Sequence, residues 1–158
     1  MNIKKQLLRQ RLLDMRHSLS SEKATQKSAI ICNKLLSLID WTPIKTVHIY
    51  TSVQQWREVD TRQIVRYLET KQPHIKVTTR PASKKEPLPQ GKFDLIIVPV
   101  LGFDKHGYRL GLGGGWYDRF LANQPSAKKV GLAYAEACVD DLPHELHDIP
   151  LEQVIVDV

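Results

Sequence analysis

The sequence predicts an α/β domain: a three-layer fold with a mostly parallel central sheet and N-terminal helices packed on it, one unit over residues 1–158. Three observations carry that expectation. From residue 46 onward, strand-like segments alternate with helix-like ones, the order of a parallel sheet with right-handed crossovers. The run "FDLIIVPV" (93–100) has a continuous apolar centre, as a strand covered on both faces requires. The first forty residues show helical spacing instead.

In chain order, Leu8, Leu12, Met15 and Leu19 predict an amphipathic helix over 2–18. Lys5, Arg9 and Arg16 share a stripe beside its apolar face, either solvated or reaching a phosphate. Ser20 and Ser21 offer an N-cap, and Ala24, Ser28, Ile31, Leu35 and Leu38 trace a second helix ending near Asp40. "TVHIYTSV" (46–53) reads as the first strand. "DTRQIVRYLET" (60–70) reads as a helix opened by an Asp60–Gln63 capping box. "IKVTTR" (75–80) is a strand, "RPASKKEPLPQGK" (80–92) a polar proline-rich loop, and "VGLAYA" (130–135) and "QVIVDV" (153–158) complete about five strands.

Composition narrows the class. With 42% hydrophobic and 25% charged residues the chain is ordinary for a globular domain. It has no apolar run of about 18 residues and no secretory pattern in "MNIKKQLLRQR", so a cytoplasmic protein without a membrane partner is expected. Cys32 and Cys138 are too few for a disulfide framework or a structural zinc site. His48, His106, His144 and His147 lack ligand spacing and read as loop or packing residues. The net charge of +6 is lopsided: residues 1–34 hold eight Lys/Arg against two acids, while residues 130–158 hold seven acids and no Lys or Arg. A basic beginning suits an anionic ligand, and an acidic end either holds a cation or neutralises the beginning. An RNA-binding module is disfavoured by the lack of interleaved aromatics or a nucleic-acid motif. A monomer is expected.

"GYRLGLGGGWYDRFL" (107–121) carries the chemistry. It lacks the lysine of a Walker A loop, and Trp116 stands where a dinucleotide loop needs its last glycine. What remains is a set of side-chain-free amides leading into a helix near Trp116, with Arg109 at the edge for a phosphate oxygen. Asp118 follows, placed to hold Mg²⁺ on phosphates. The competing reading is a tight turn with Asp118 as a helix cap.

"FDKHGYRLGLGGGWYDRFL" resembles the signature of the 5-formyltetrahydrofolate cyclo-ligases, also called methenyltetrahydrofolate synthetases. "KQLLR" (5–9), "YTSVQQWREVDT" (50–61), "DLIIVPVLGFD" (94–104) and "VGLAYAEACVDDLPHELHDIPLEQVIVD" (130–157) are similar to the family's other segments, in family order. The resemblance implies conversion of 5-formyltetrahydrofolate to 5,10-methenyltetrahydrofolate with ATP as co-substrate and Mg²⁺ as cofactor. It assigns ATP binding to Lys5, Gln6, Leu7, Leu8 and Arg9 and to Arg109, Leu110, Gly111, Leu112, Gly113, Gly114, Gly115, Trp116 and Tyr117. Leu112 to Trp116 would also line the folate side, with Val53 packing there and Glu58 accepting hydrogen bonds from the pterin. Asp118 and Asp148 would be the metal ligands, and Arg109 and Tyr117 the catalytic pair. Trp116 and Tyr117 would stack on a ring or serve as core. The chain departs from the family in a short 81–92 segment without aromatics, in Ala137 where glutamine is common, and in Leu112 where some members have arginine. The alternative is a related ATP-binding enzyme acting on a non-folate small molecule.

Overall fold

The structure is a computed structural model that describes residues 2–80 and 86–158. Asn2 and Ser20 open the first two helices, α1 (Ile3–His17) and α2 (Ser21–Leu38). Each cap side chain accepts a backbone N–H three residues on, from Lys5 (3.2 Å) and Lys23 (3.1 Å). The strands are β1 (Thr46–Tyr50), β2 (Lys76–Arg80), β3 (Leu95–Pro99), β4 (Gly102–Phe103), β5 (Arg109–Leu110), β6 (Lys128–Leu132) and β7 (Gln153–Ile155). Two further helices, α3 (Arg62–Lys71) and α4 (Trp116–Ala122), join them.

Five strands form one parallel sheet in the order β2-β1-β3-β6-β7. Right-handed crossovers from β1 to β2 and from β3 to β6 run in opposite directions, which places α3 and α4 on opposite faces. The central β3 is buried from Leu95 to Val98, as its continuous apolar run demands. A smaller cluster of Leu12, Leu101, Leu110 and Leu142 ties α1 to the β4–β5 hairpin. Two-residue strands carry no readable periodicity, so the sequence gives no sign of that hairpin.

Two expectations change. The strands stop short of their apolar runs because side chains, not further strands, take the terminal carbonyls. The Thr61 hydroxyl donates to Tyr50 O (2.9 Å), and Arg109 Nε donates to Pro99 O (3.2 Å). The Asp60–Gln63 capping box does not form: Gln63 donates to Asn33 on α2 (2.7 Å), and Asp60 instead accepts the Arg62 N–H (3.0 Å) and grips its guanidinium. The loop expected over 80–92 is irregular from residue 86, and residues 81–85 lie outside those described. The lopsided charge resolves into pairing: Lys27 meets Glu136 (2.8 Å) and Asp157 (2.7 Å), Lys5 meets Asp148 (3.7 Å), and Lys34 donates to Val156 O (3.0 Å).

His48 is the odd member of the core. It is 0% exposed on β1, ringed by Phe93, Trp116, Tyr117 and Phe120, with the Phe120 centroid 4.7 Å away. Both ring nitrogens lack a hydrogen-bond partner among the described residues. Burial, and then the nearby Arg80 charge, push its pKa down to about 4. The unfolded chain therefore binds this proton near pH 6.5 while the fold resists it until about pH 4. Stability present above pH 6.5 is lost as pH falls through that window, about 3 kcal/mol in all. His48→Phe should remove this component. Urea unfolding of both proteins at pH 7 and pH 4.5 should show the wild type losing about 2–3 kcal/mol more than the variant; equal losses would contradict the assignment.

Candidate active site

The strand order reverses between β1 and β3, because the chain leaves β1 toward β2 and leaves β3 toward β6. Ligands of open α/β sheets lie outside the carboxyl ends of the strands at such a point. A cavity of about 390 Å³ occupies that position. Tyr50 at the end of β1 with Thr51 after it, Arg80 at the end of β2, and Pro99 at the end of β3 with Val100 and Leu101 after it form its floor.

Helix α1 walls one side. Residues 5, 9, 12 and 16 lie on one face at about 100° per residue, so Lys5, Arg9 and Arg16 all reach the cavity while Leu12 enters the core. Gln6, Leu7 and Leu8 rotate away from it. Leu7 is 69% exposed, Leu8 packs on the smaller core cluster, and none of the three lines the cavity. The resemblance places all three in the ATP contact set; of that segment, Lys5 and Arg9 are the residues that line the cavity.

The glycine run forms the facing wall, with Gly111 to Gly115 and Leu112, 44% exposed, all lining the cavity. Gly113 (φ +103°) and Gly115 (φ +71°) adopt left-handed conformations that explain two of the four glycines. Arg9 Nε donates to Gly111 O (2.9 Å) and its guanidinium lies along Gly113, so a cation is laid against the loop's amides. Helix α4 has only seven residues, so cations and loop amides, rather than a long helix dipole, supply the positive field. Arg109 is buried beneath the loop, its side chain 7% exposed, with Nη1 donating to Asp118 Oδ1 (3.3 Å). Burial lowers its pKa and Asp118 opposes that shift. Asp148 faces the same space from the acidic segment, accepting the Glu145 N–H (2.8 Å). The two carboxylates expected to hold metal thus share one cavity. Among the described residues no cluster of three or more His, Cys, Asp or Glu could bind a metal alone. That donor set suits Mg²⁺, a hard ion that takes one or two carboxylates and completes its shell with phosphate oxygens and water.

Across the cavity lies Glu58. Its Oε2 accepts the Val53 N–H (2.8 Å), and both residues line the space. Burial raises the Glu58 pKa, opposed by that N–H and then by Arg16 and Arg80. Its neighbour Arg57 is the one non-glycine residue of the described chain at positive φ (+54°). Two ties hold this strained backbone: Arg57 Nε donates to Leu19 O (3.1 Å), and the Tyr134 hydroxyl donates to Arg57 O (2.8 Å).

Trp116 and Tyr117 are both buried and both line the cavity. Trp116 donates from its indole to Glu86 O (2.9 Å), stacks on His48, and lies 4.1 Å from the Arg80 guanidinium carbon. Its ring is built into the wall, which favours the core role over free stacking on a ligand. The Tyr117 hydroxyl is buried beside Arg80, and burial raises its pKa, so it remains protonated. Sequence reasoning did not place Tyr50, Trp56 or Arg80 in the site. They come from segments read only as strand or loop, and the sheet order alone brings them together.

The 5-formyltetrahydrofolate cyclo-ligase family model matches residues 1–77 and 68–157. The chain is 44% identical over 73 residues to the 5-formyltetrahydrofolate cyclo-ligase of Escherichia coli strain K12, a match covering 45% of this chain and 40% of that protein. It thus spans about two fifths of the length of the first curated relatives it matches. A mouse 5-formyltetrahydrofolate cyclo-ligase aligns with 99% of the chain and 95% of its own length at 25% identity. Among solved structures, the 5,10-methenyltetrahydrofolate synthetase of Mycoplasma pneumoniae superposes with a TM-score of 0.82 and 28% identity, over 99% of this chain and all of that one. The family match runs nearly end to end and includes every segment that lines the cavity: the chain belongs to the 5-formyltetrahydrofolate cyclo-ligase family.

Proposed function

We propose that this chain converts 5-formyltetrahydrofolate to 5,10-methenyltetrahydrofolate, with ATP as co-substrate and Mg²⁺ on its phosphates. The observation that carries the reading is one cavity with two chemically different ends. Lys5 with Asp148, Arg9 with the glycine loop and Arg109 with Asp118 form one group, and Glu58 with Val53 and Tyr50 another.

Phosphoryl transfer needs positioning and charge neutralisation more than a protein nucleophile. The formyl oxygen attacks the γ-phosphorus and ADP leaves. N10 then attacks the formyl carbon, phosphate departs with that oxygen, and the N10 proton is released. Lys5 and Arg9 orient the phosphate chain, and Arg109 offsets charge on the transferring group from a buried position where it is worth most. Tyr117, held protonated, donates to a nearby oxygen rather than acting as a base. Asp118 and Asp148 would hold Mg²⁺, which supplies charge stabilisation at the phosphates. Glu58 takes N–H donors of the pterin.

Incubation with 5-formyltetrahydrofolate and MgATP should produce methenyltetrahydrofolate and ADP in equal amounts. ATP binding without that product would favour the alternative, a related enzyme with a non-folate substrate. Asp118→Asn nearly preserves shape but removes charge, and should lower kcat roughly 100-fold. Its thermal midpoint should stay close to the wild type. Unchanged turnover at saturating Mg²⁺ would count against the metal assignment.

A further inference from the structure

Arg16 stands on the cavity wall with no assigned task. It is 4% exposed, yet Nε and Nη2 have no hydrogen-bond partner among the described residues. Buried guanidinium nitrogens left without acceptors are costly. The neighbouring groups do not relieve them. Neither Tyr50 nor Tyr134, whose hydroxyls donate to Val59 O (2.7 Å) and Arg57 O (2.8 Å), accepts from Arg16 Nε or Nη2. Glu58 is near enough to attract Arg16, but the two form no ion pair within 4.0 Å. Two opposite charges therefore face one space without closing on each other.

Position along α1 separates Arg16 from the phosphate end. Seven residues of helix, about 10 Å, lie between it and Arg9. Arg16 is on the side of Glu58 and Tyr50, both close enough to act on its charge. With Glu58 beside it the local charge is balanced, which suits a neutral ligand edge carrying a donor next to an acceptor. A ring lactam, –NH–C(=O)–, has that pattern: the carboxylate takes the N–H and the guanidinium donates to the carbonyl. The reduced pterin presents this edge as its 4-oxo group beside N3–H and the 2-amino group.

We propose that Arg16 is a specificity residue that donates to the ring carbonyl of the substrate while Glu58 accepts its N–H groups, so that the pocket selects a 4-oxo over a 4-amino pteridine. The inference rests on the folate reading above. A 4-amino ring offers Arg16 a donor where it needs an acceptor, and a site built to hydrogen-bond one group rejects the analogue lacking it.

The test measures binding of 5-formyltetrahydrofolate and of its 4-amino-4-deoxy counterpart by calorimetry, without ATP, at a pH where both rings are neutral. Wild type should prefer the 4-oxo ligand by at least about 10-fold. Arg16→Met should weaken the 4-oxo ligand about 10- to 100-fold and change the 4-amino ligand by less than about 3-fold, collapsing the ratio. Arg16→Lys, which keeps charge but loses the planar fork, should fall between. Loss of both ligands by the same factor would assign Arg16 a structural role and overturn the proposal, as would an unchanged ratio. If the variants fail to fold, the wild-type ratio decides: no preference for the 4-oxo ring overturns it. If wild type binds neither pteridine, the folate reading itself falls; binding of both equally removes the Arg16 inference alone.

Discussion

Arg109→Met should lower kcat/KM by about a thousandfold, the effect expected when a preorganised cation is removed from phosphoryl transfer. Arg109 sits where such a charge is strongest. Its side chain is nearly excluded from water, anchored on Pro99 O and paired with Asp118. Coulombic attraction grows as water is excluded, so the same charge on an exposed loop would do far less. The loss should appear mainly in kcat, because the developing charge exists only as the γ-phosphoryl group moves. A rise in KM with kcat unchanged would mean that Arg109 merely binds nucleotide. Arg109→Lys restores the charge without the two-pronged geometry that spans Pro99 and Asp118, and should recover only part of the rate. Thermal unfolding of both variants separates this from the smaller cost of leaving Pro99 O unpaired, about 1–3 kcal/mol.

Gly107→Val should be the most damaging change far from any substrate. Gly107 has φ +86°, and a Cβ there would overlap the carbonyl oxygen of Leu151. The residue also accepts the Leu151 N–H (2.8 Å), which docks the acidic segment onto the β4–β5 hairpin. Strain at positive φ costs about 1–3 kcal/mol, and the displaced hydrogen bond about another 1. Together these should lower the thermal midpoint by about 10 °C in a chain of this size. Gly114→Ala provides the contrast: its Cβ would meet no atom within 4 Å, and its φ is not positive. That substitution should shift stability by less than about 0.5 kcal/mol. A mild Gly107 variant would mean that Leu151 can retreat freely.

The basic, glycine-lined end of the cavity is legible because its residues lie close together in sequence. Arg109 through Asp118 form one stretch, and Lys5 and Arg9 one helical face. Helical rotation explains why Lys5 and Arg9 line the cavity while Leu7 and Leu8 between them do not. The opposite end is assembled by topology. Tyr50, Arg80 and Pro99 are strand ends some tens of residues apart, and only the order β2-β1-β3 brings them together. His48 reads correctly as packing, but nothing local announces that four aromatic rings enclose it. The failed capping box has a similar cause: Gln63 finds Asn33 on a neighbouring helix, a partner invisible to a four-residue pattern.

Helix α1 supplies three cations to the cavity yet buries only Leu12 and Arg16 of its own residues. So little burial leaves its attachment weaker than that of the sheet, and local opening costs least where few side chains are buried. Any anion that engages Lys5 and Arg9 also fastens the helix that carries them. Seating of α1 and occupation of the pocket are then thermodynamically linked, each raising the probability of the other. Part of the affinity for any such anion would then be spent seating the helix, and measured affinity would understate the strength of the contacts by that amount.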